Sequence, residues 1–178
     1  MIDLLRSLLP AVALEAGDAT DQPTIRVPAA SLVEVCRALH DHAELGFVLL
    51  ADITAVDWWP REPRFEVVYH LSSMTRRLRL KVSLDGGAAR LPTVQSVWRG
   101  ADWLERETWD MFGIVFEGHG DLRRLLMPED WEGYPLRKDF PVQIRLRPRA
   151  EEPLQVTEEE FRANLARDKA ARADAPRS

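Results

Sequence analysis

The stretch FEVVYHLSSMTRRLRLKVSL, residues 65–84, decides the fold because its apolar side chains recur at every second residue. In its first half the apolar set that points to one face is Phe65, Val67, Tyr69 and Leu71. In its second half the alternation is stricter, with Leu78, Leu80, Val82 and Leu84 set against Arg77, Arg79, Lys81 and Ser83. Successive side chains of a strand point to opposite faces, so the pattern predicts two strands of a sheet with one apolar face.

The residues before this stretch predict a third strand, two helices and two short strands. In FVLLADITAVDWW, residues 47–59, both alternating sets are largely apolar, which predicts a central strand covered on two sides. A helix precedes it, beginning near Ser31 and stopped by Gly46, because its apolar residues recur every three or four positions. Two short strands are predicted at 11–17 and 24–27, after a short amphipathic helix in the initial MIDLLRSLLP.

This order of elements predicts the fold class. Helix, two strands, helix and three strands are typical of a two-layer α+β domain with a mixed sheet and helices on one face, ending near residue 90. With 178 residues, 46% of them hydrophobic, the chain fits one domain with its own core. The single cysteine, Cys36, excludes an internal disulfide and is predicted to be a small buried apolar side chain.

A row of basic side chains follows the outer face of the last strand, at Arg77, Arg79 and Lys81. Sequence favours a solvated face, on which Glu66 of the neighbouring strand lies near Arg79 or Lys81. Two further hypotheses stay open, a docking face for an acidic partner and a nucleic-acid site. The net charge of −5 weighs against nucleic acid as the main partner, because that binding is driven by phosphate neutralisation.

A second region begins with GADWLERETWDMFG, after the glycines at 86 and 87. It predicts a signature helix over residues 102–112. Asp102 followed by Glu105 resembles a capping box at the start, and Gly113 supplies the stop.

Trp103 and Trp109 fall outside the apolar stripe of that helix, on opposite flanks. Leaving such large side chains in water forgoes a gain of about 25 cal/mol per Å² of apolar surface. We therefore expect both to be covered. Three covers stay open: the IVF strand at 114–116, the proline-rich segment folding back, or another protein.

From residue 127 onward the sequence predicts an extended arm with a short terminal helix. Five prolines fall within 26 residues, and proline fits neither a helix interior nor a central strand. Helical signals return at Thr157, where TEEE repeats the capping pattern. Ordering so many residues costs about 1 to 2 kcal/mol of backbone entropy each, which the arm's own contacts cannot offset. The prediction is an α+β domain over 1–126 and an arm over 127–178 that becomes ordered on a partner.

No stretch approaches the roughly 20 apolar residues that cross a bilayer. The longest apolar run, from Leu45 to Ala51, itself contains Gly46. The initial helix is too short and interrupted for a signal peptide, so the expectation is a cytosolic protein that does not span a membrane.

A metal site of two carboxylates and a histidine is one hypothesis for the acid-rich window after residue 104. Glu107 and Asp110 are three apart on a helix, and His119 follows a short strand. The basic residues interleaved with these acids favour structural ion pairs instead, and His119 between two glycines favours a loop hydrogen bond. The sequence also contains no phosphate-binding loop, dinucleotide fingerprint or nucleophile elbow. A free-standing metalloenzyme is therefore only a remote alternative.

One long segment resembles a known family. ERETWDMFGIVFEGHGDLRRLLMPEDWEGYPLRKDFP, residues 105–141, is similar to the signature of the C subunit of proton-pumping NADH:quinone oxidoreductase, the thirty-kilodalton hydrophilic-arm subunit of complex I. The matches run without a gap from Glu105 to Pro141, and the preceding α+β region agrees in length and order. Two residues depart from the pattern: Gly120 stands where proline is usual, and Tyr134 where histidine is common.

The resemblance implies a scaffolding subunit of the quinone-reducing module that binds no cofactor and conducts no electrons. Its implied partners are subunits D, B and I, chiefly the first of these, whose fold is hydrogenase-like. FMN and iron–sulfur clusters are expected in partner subunits, and the implied location is the cytoplasmic face of the bacterial inner membrane, reached only through the complex. The expected interface residues are Trp103, Trp109, Arg123, Arg124, Trp131, Tyr134, Arg137, Lys138, Asp139 and Phe140. The equivalent subunit of a membrane-bound hydrogenase or formate hydrogenlyase remains the alternative.

Overall fold

The computed structural model describes residues 1–17, 21–141 and 157–173. Their helices are α1 (Ile2–Leu8), α2 (Leu32–Asp41), α3 (Ala101–Phe112) and α4 (Glu158–Ala173). The strands are β1 (Glu15–Gly17), β2 (Thr24–Arg26), β3 (Leu49–Asp57), β4 (Phe65–Ser72), β5 (Arg77–Leu84), β6 (Arg90–Pro92) and β7 (Val115–Glu117). The predicted order of helix, two strands, helix and three strands is confirmed.

The main sheet has five strands in the order β1-β2-β5-β4-β3. It is mixed, as predicted, because β2 and β5 run parallel while the other neighbours run antiparallel. In β4 and β5, Val67 lies opposite Val82 and Tyr69 opposite Leu80, so the two predicted apolar rows meet on one face. All four of these side chains are fully buried.

Helix α2 contributes a second group of buried side chains to the core. Its buried residues recur every three or four positions, at Leu32, Val35, Cys36 and Leu39, as the sequence pattern predicts. Cys36 is a free thiol without exposed surface. Burial raises the pKa of the Cys36 thiol far above its usual value, so this cysteine serves as an apolar side chain.

The prediction that the strand over 47–59 is central was wrong. β3 lies at the edge of the sheet, and β4 is the strand buried on both faces, including its outward-facing Val68. Helix α3 packs along β3 and places the Thr108 hydroxyl 3.1 Å from the Ile53 carbonyl oxygen, which accepts from it. The apolar run is continuous for two other reasons. Helix α3 covers part of β3, and the apolar residues at both ends of the run are exposed.

Strands β6 and β7 form a separate two-stranded parallel sheet in which Leu91 lies opposite Phe116. β7 occupies the position of the predicted IVF strand, shifted by one residue. β6 was not predicted, because three residues with one buried side chain, Leu91, are too short to show a two-residue period.

The described chain divides into two units, Met1–Phe140 and Pro141–Ser178. Residues 127–140, which the sequence assigns to the arm, lie within the first unit and bond to it, for example through Leu136 N to Met111 O at 3.1 Å. In the second unit, helix α4 begins with the predicted capping box. The Glu160 carboxylate accepts from Thr157 N at 2.9 Å, and the Thr157 hydroxyl accepts from Glu160 N at 3.3 Å.

None of the helices in the described ranges is long and apolar enough to cross a lipid bilayer.

Candidate functional site

Helix α3 begins at Ala101 without the capping box that the sequence predicts. The Glu105 carboxylate turns into the protein, where it accepts from the Thr93 hydroxyl at 2.6 Å and from Val94 N at 2.7 Å. It has no exposed surface, and burial raises its pKa despite these hydrogen bonds. Glu105 therefore fixes the loop after β6 to α3 and does not cap the helix. Sequence could not distinguish the two roles, because the spacing of Asp102 and Glu105 that suggests a capping box is the same in both.

His119 closes the loop after β7, as the sequence predicts. Its Nδ1 accepts from Asp121 N at 3.1 Å, and its Nε2 lies 3.1 Å from Asp102 O. The side chain is completely buried, 4.0 Å from Glu105 Oε2. The histidine thus joins a turn to the start of α3.

Asp110, near the end of α3, is the most heavily bonded carboxylate of the signature segment. It has no exposed surface. Its Oδ2 accepts from three consecutive amides, Leu125 N, Leu126 N and Met127 N, at 2.8 to 3.0 Å. Its Oδ1 accepts from Arg124 Nη1 at 2.7 Å. Burial opposes the charge, but the Met127 amide, the Arg124 guanidinium and the other amides outweigh it and lower the Asp110 pKa.

Arg124 extends this network into the proline-rich segment. Its Nη2 donates to Trp131 O at 2.7 Å and to Gly133 O at 3.0 Å. Its guanidinium also lies over the rings of Trp109 and Tyr134, 5.7 and 5.6 Å from their centroids. A guanidinium serves two carbonyls and a carboxylate at once through donors held in a rigid plane on separate nitrogens, a geometry that the single ammonium of lysine does not reproduce.

A second network fixes the end of the same segment. Arg64 makes two-pronged ion pairs with two carboxylates, 2.8 and 2.9 Å from Asp57 and 2.7 and 3.0 Å from Asp139. Asp57 also accepts from Lys138 N at 2.9 Å. Burial opposes the Asp57 charge, but Arg64 and the two backbone amides, those of Lys138 and Trp59, outweigh it and lower its pKa to about 2. Residues 138 and 139 are thereby tied to the end of β3.

Between the two networks, the segment folds back on the end of α3. Arg137 donates to Phe112 O and lies over the Tyr134 ring at 4.6 Å. Tyr134 in turn packs edge-on against Trp109, with ring centroids 6.5 Å apart. Of the three covers open for Trp109, the proline-rich arm is therefore the one found.

Trp103 has no such cover among the described residues. Its side chain is 58% exposed, and the guanidinium of Arg106 lies 5.0 Å from the ring centroid.

The other expected interface residues divide into exposed and packed ones. Arg123 is exposed and pairs with Asp121 at 2.9 Å. Trp131 stacks on Phe140 with centroids 6.3 Å apart, and its indole N–H is buried without a partner among the described residues. The Lys138 side chain is exposed although its backbone is bound.

The structure does not assemble the hypothetical metal site. Both Asp110 oxygens are bonded, Glu107 is exposed, and His119 lies against Asp102 and Glu105 instead. In the described ranges no group of three or more histidine, cysteine, aspartate or glutamate side chains is arranged to hold a metal ion.

The basic row on β5 is largely paired. Lys81 binds Glu66 at 2.8 Å, as the sequence predicts, and Arg79 binds Asp21 at 3.1 Å. Only Arg77 of the row lacks an ion pair within the ranges that the structure describes. These pairs favour a solvated face over nucleic-acid binding, which needs free cations facing phosphates.

Sequence reasoning missed Asp57 and Arg64, which anchor the second network. Asp57 ends a strand and Arg64 immediately precedes the next, so nothing in their spacing distinguishes them from turn residues. One signal could have indicated such an anchor. The three consecutive charges of RKD at 137–139 suggest oppositely charged partners elsewhere in the chain.

The fold and these networks define a structural class: an α+β domain whose proline-rich segment is fixed on a short helix and on the end of a strand by buried carboxylates. Comparison with known proteins gives the family. Residues 25–145, about two thirds of the chain, match the family model described as the 30 kDa subunit of respiratory-chain NADH dehydrogenase. The chain belongs to this family, which confirms the family that residues 105–141 predict.

A relative and two solved structures illustrate the similarity. The chain is 47% identical over 144 residues to the C subunit of the NADH-quinone oxidoreductase of Roseiflexus sp. (strain RS-1), covering 80% of this chain and 83% of that protein. It superposes on a trypsin-resistant fragment of Nqo5 with a TM-score of 0.55 and 33% identity, covering 68% of this chain and 96% of the fragment. It superposes on a chain of the membrane-bound sulfane sulfur reductase, an archaeal respiratory membrane complex, with a TM-score of 0.65 and 31% identity, covering 79% and 84%.

Proposed function

We propose that this chain is a scaffolding subunit of a proton-translocating NADH:quinone oxidoreductase and has no active site of its own. The observation that carries the proposal is the use of ionised side chains inside the 105–141 segment. Asp110 and Arg124 of the segment, together with Arg64 outside it, use their hydrogen bonds to fix the segment to its own domain. Groups bound in this way are preorganised and inert, which suits a surface that positions neighbours.

The fixed segment presents exposed side chains suited to a protein partner. Leu126 and Leu136 of the segment are each more than half exposed, as is Trp103 just before it, and the Lys138 side chain, two residues after Leu136, is exposed as well. Aromatic residues and arginines dominate the energetics of protein interfaces. The proposed interface is the set of ten residues, from Trp103 to Phe140, that the family resemblance implies. Its exposed side chains would contact the partner, and its buried ones would hold the exposed ones in place.

The partners we propose are subunits D, B and I of the complex, chiefly the hydrogenase-like first of these. Neighbouring subunits would carry the FMN and iron–sulfur clusters, and this chain would reach the cytoplasmic face of the inner membrane only through them. The second unit is proposed to bind a partner as well. Phe161 and Leu165 of α4 are 61% and 47% exposed and lie one helical turn apart, where they form a small apolar stripe.

One alternative has a specific observation in its favour. The similarity to a chain of the sulfane sulfur reductase complex supports an equivalent subunit of another membrane-bound complex, such as a hydrogenase or formate hydrogenlyase. Both alternatives use the same scaffold and differ in the partner.

Purification of the tagged chain from its native membranes tests the proposal. Flavin and iron–sulfur subunits of NADH:quinone oxidoreductase should co-purify in fixed proportion. Co-purification of a nickel–iron large subunit would instead support the hydrogenase relative. A chain recovered alone would contradict both.

A further inference from the structure

Two adjacent tryptophans, Trp58 and Trp59, stand on the loop between β3 and β4 and are 43% and 50% exposed. Neither belongs to the 105–141 segment. Half-exposed tryptophans forgo about 25 cal/mol for each Å² of apolar surface left in water, and such residues are enriched at interface centres.

The loop that carries them is fixed in place. Trp58 N donates to Arg64 O at 2.7 Å, and Arg61 N donates to Trp58 O at 3.0 Å. The Glu62 carboxylate accepts from Arg64 N at 2.9 Å and from Gly86 N at 3.0 Å. Little backbone freedom is left to lose on binding, so the loop is preorganised for a partner.

The tryptophans lie next to the end of the fixed segment. Trp59 N and Lys138 N donate to the two oxygens of one carboxylate, that of Asp57, each at 2.9 Å. Leu136, two residues earlier, is 54% exposed. We call these residues the tryptophan patch: Trp58, Trp59, Leu136, Arg61 and Lys138.

The charge of the patch indicates what it binds. Of its nearby carboxylates, Asp57 and Asp139 face Arg64 and are neutralised by it, while that of Glu62 accepts from the amides of Arg64 and Gly86. Arg61 and Lys138 are exposed, and neither has a carboxylate within 4.0 Å among the described residues. An apolar surface edged by two such cations is complementary to an apolar pocket rimmed by carboxylates.

We propose that the tryptophan patch is a docking site for a folded protein subunit with an apolar pocket rimmed by carboxylates. This inference rests on the proposed function, because it names a further surface through which the scaffold holds its complex. An anionic membrane surface is the competing occupant. It is disfavoured because binding there through charge takes a cluster of about four to eight basic residues, and the patch has two.

Hydroxyl-radical footprinting of the full-length chain tests the proposal. Oxidation of Trp58 and Trp59 is measured in the isolated chain, in the complex purified from native membranes, and with vesicles of phosphatidylglycerol and phosphatidylethanolamine. We expect several-fold slower oxidation in the complex and no change with vesicles. Equal rates in the isolated chain and the complex would overturn the inference, as would protection by vesicles alone.

Two variants separate this inference from the proposed function. W58A/W59A and the charge reversal R61E should each weaken association with the complex about tenfold or more, as loss of central interface contacts does. Arg37→Glu, an exposed arginine on α2, is the matched control and should assemble normally. Normal assembly of both patch variants, each with an unchanged unfolding midpoint, would overturn the inference and leave the proposed function standing. A wild-type chain that binds no subunit would overturn the proposed function first.

Discussion

Asp110 and Asp57 are ionised carboxylates that the fold has enclosed and saturated with donors. Asp110 is bonded to three amides and one guanidinium, and Asp57 to Arg64 and two amides. Each carboxylate joins the 124–139 part of the chain to the domain beneath it. A carboxylate in this state is a poor general base or metal ligand, since its lone pairs already accept hydrogen bonds.

Replacing Asp110 by asparagine should lower the free energy of unfolding by about 3 kcal/mol, because the Arg124 charge stays partly buried without its partner. The amide group would also turn a donor toward either Arg124 or the three backbone amides. Urea denaturation measures the change. Glu107→Gln, an exposed acid on the same helix, is the control and should change little. Equal stabilities of the two variants would contradict this account of Asp110.

The same carboxylates predict how stability depends on pH. The pKa of Asp57 is lowered to about 2, and the pKa values of Asp110 and Asp139 are lowered as well. A carboxylate whose pKa is lower in the folded chain stabilises it above the unfolded pKa, near 4, and loses that contribution as pH falls through the folded value. The urea concentration at the unfolding midpoint should therefore decrease as the pH is lowered from about 4 to about 2. In Asp57→Asn the fall should be shallower, and an unchanged slope would contradict the role given to Asp57.

At this scale the sequence predicts less than the structure contains. The acids interleaved with arginines correctly favour ion pairs, and His119 correctly favours a loop hydrogen bond. The partner of each charged side chain could not be predicted. Arg64 and Asp139, for example, are separated by 75 residues, and no local pattern encodes a contact at that distance. The sequence assigns Glu105 to a helix cap because its spacing from Asp102 fits one. Its actual partners, Thr93 and Val94, follow β6, and no local pattern shows that they meet Glu105.

At the scale of elements, the junction of α3 with the proline-rich segment decides where that segment lies. Gly113 ends the helix with φ of +74°, a left-handed conformation that side chains disfavour. The segment then passes close above it. A Cβ at Gly113 would lie 2.5 Å from both Arg137 Nη2 and Tyr134 Cε2.

Gly113→Ala should therefore destabilise the chain by about 1 to 3 kcal/mol from backbone strain, and more if Tyr134 is displaced. Displacement would uncover Trp109, so its fluorescence should shift to the red. Thermal unfolding and emission spectra measure both effects. Gly87→Ala is the matched control, because a Cβ there meets nothing within 4 Å. A Gly113→Ala variant as stable as this control would show that the junction is not constrained.

The elements themselves were largely predictable, because period and length suffice for α2, β4 and β5. Position within the sheet was not. The apolar run at 47–59 predicts burial on both sides, but α3 packing along an edge strand satisfies the same pattern as a central position does. The three-residue β6 has too few residues for any period, so only its pairing with β7 identifies it.

For the whole molecule, the first question is where the self-supporting part ends. The entropy cost expected from the sequence alone treats everything after residue 126 as unable to hold its own shape. That expectation omits the ion pair of Asp139 with Arg64 and the hydrogen bonds at Trp131 and Lys138, which fix residues 127–140. We therefore propose that the independently stable domain is 1–140, and that ordering on a partner concerns the residues beyond it.

Two truncations test this boundary. A chain ending at Phe140 should unfold at the same urea concentration as the full chain, because every described bond of Asp57, Arg64 and Asp110 is retained. A chain ending at Leu126 should be several kcal/mol less stable, since it loses Asp139 and leaves Arg64 with one partner. Comparable losses in both truncations would place the boundary further along the chain.

We propose that this chain supports quinone reduction by holding other subunits in place. The measurement is the rate of NADH:quinone electron transfer in membranes that lack the chain, before and after the purified full-length protein is added. The flavin and iron contents of the added protein are determined separately. The account predicts that activity is lost without the chain and restored by protein containing neither flavin nor iron. Activity that persists without the chain, or a restoring protein that carries its own redox group, would contradict it.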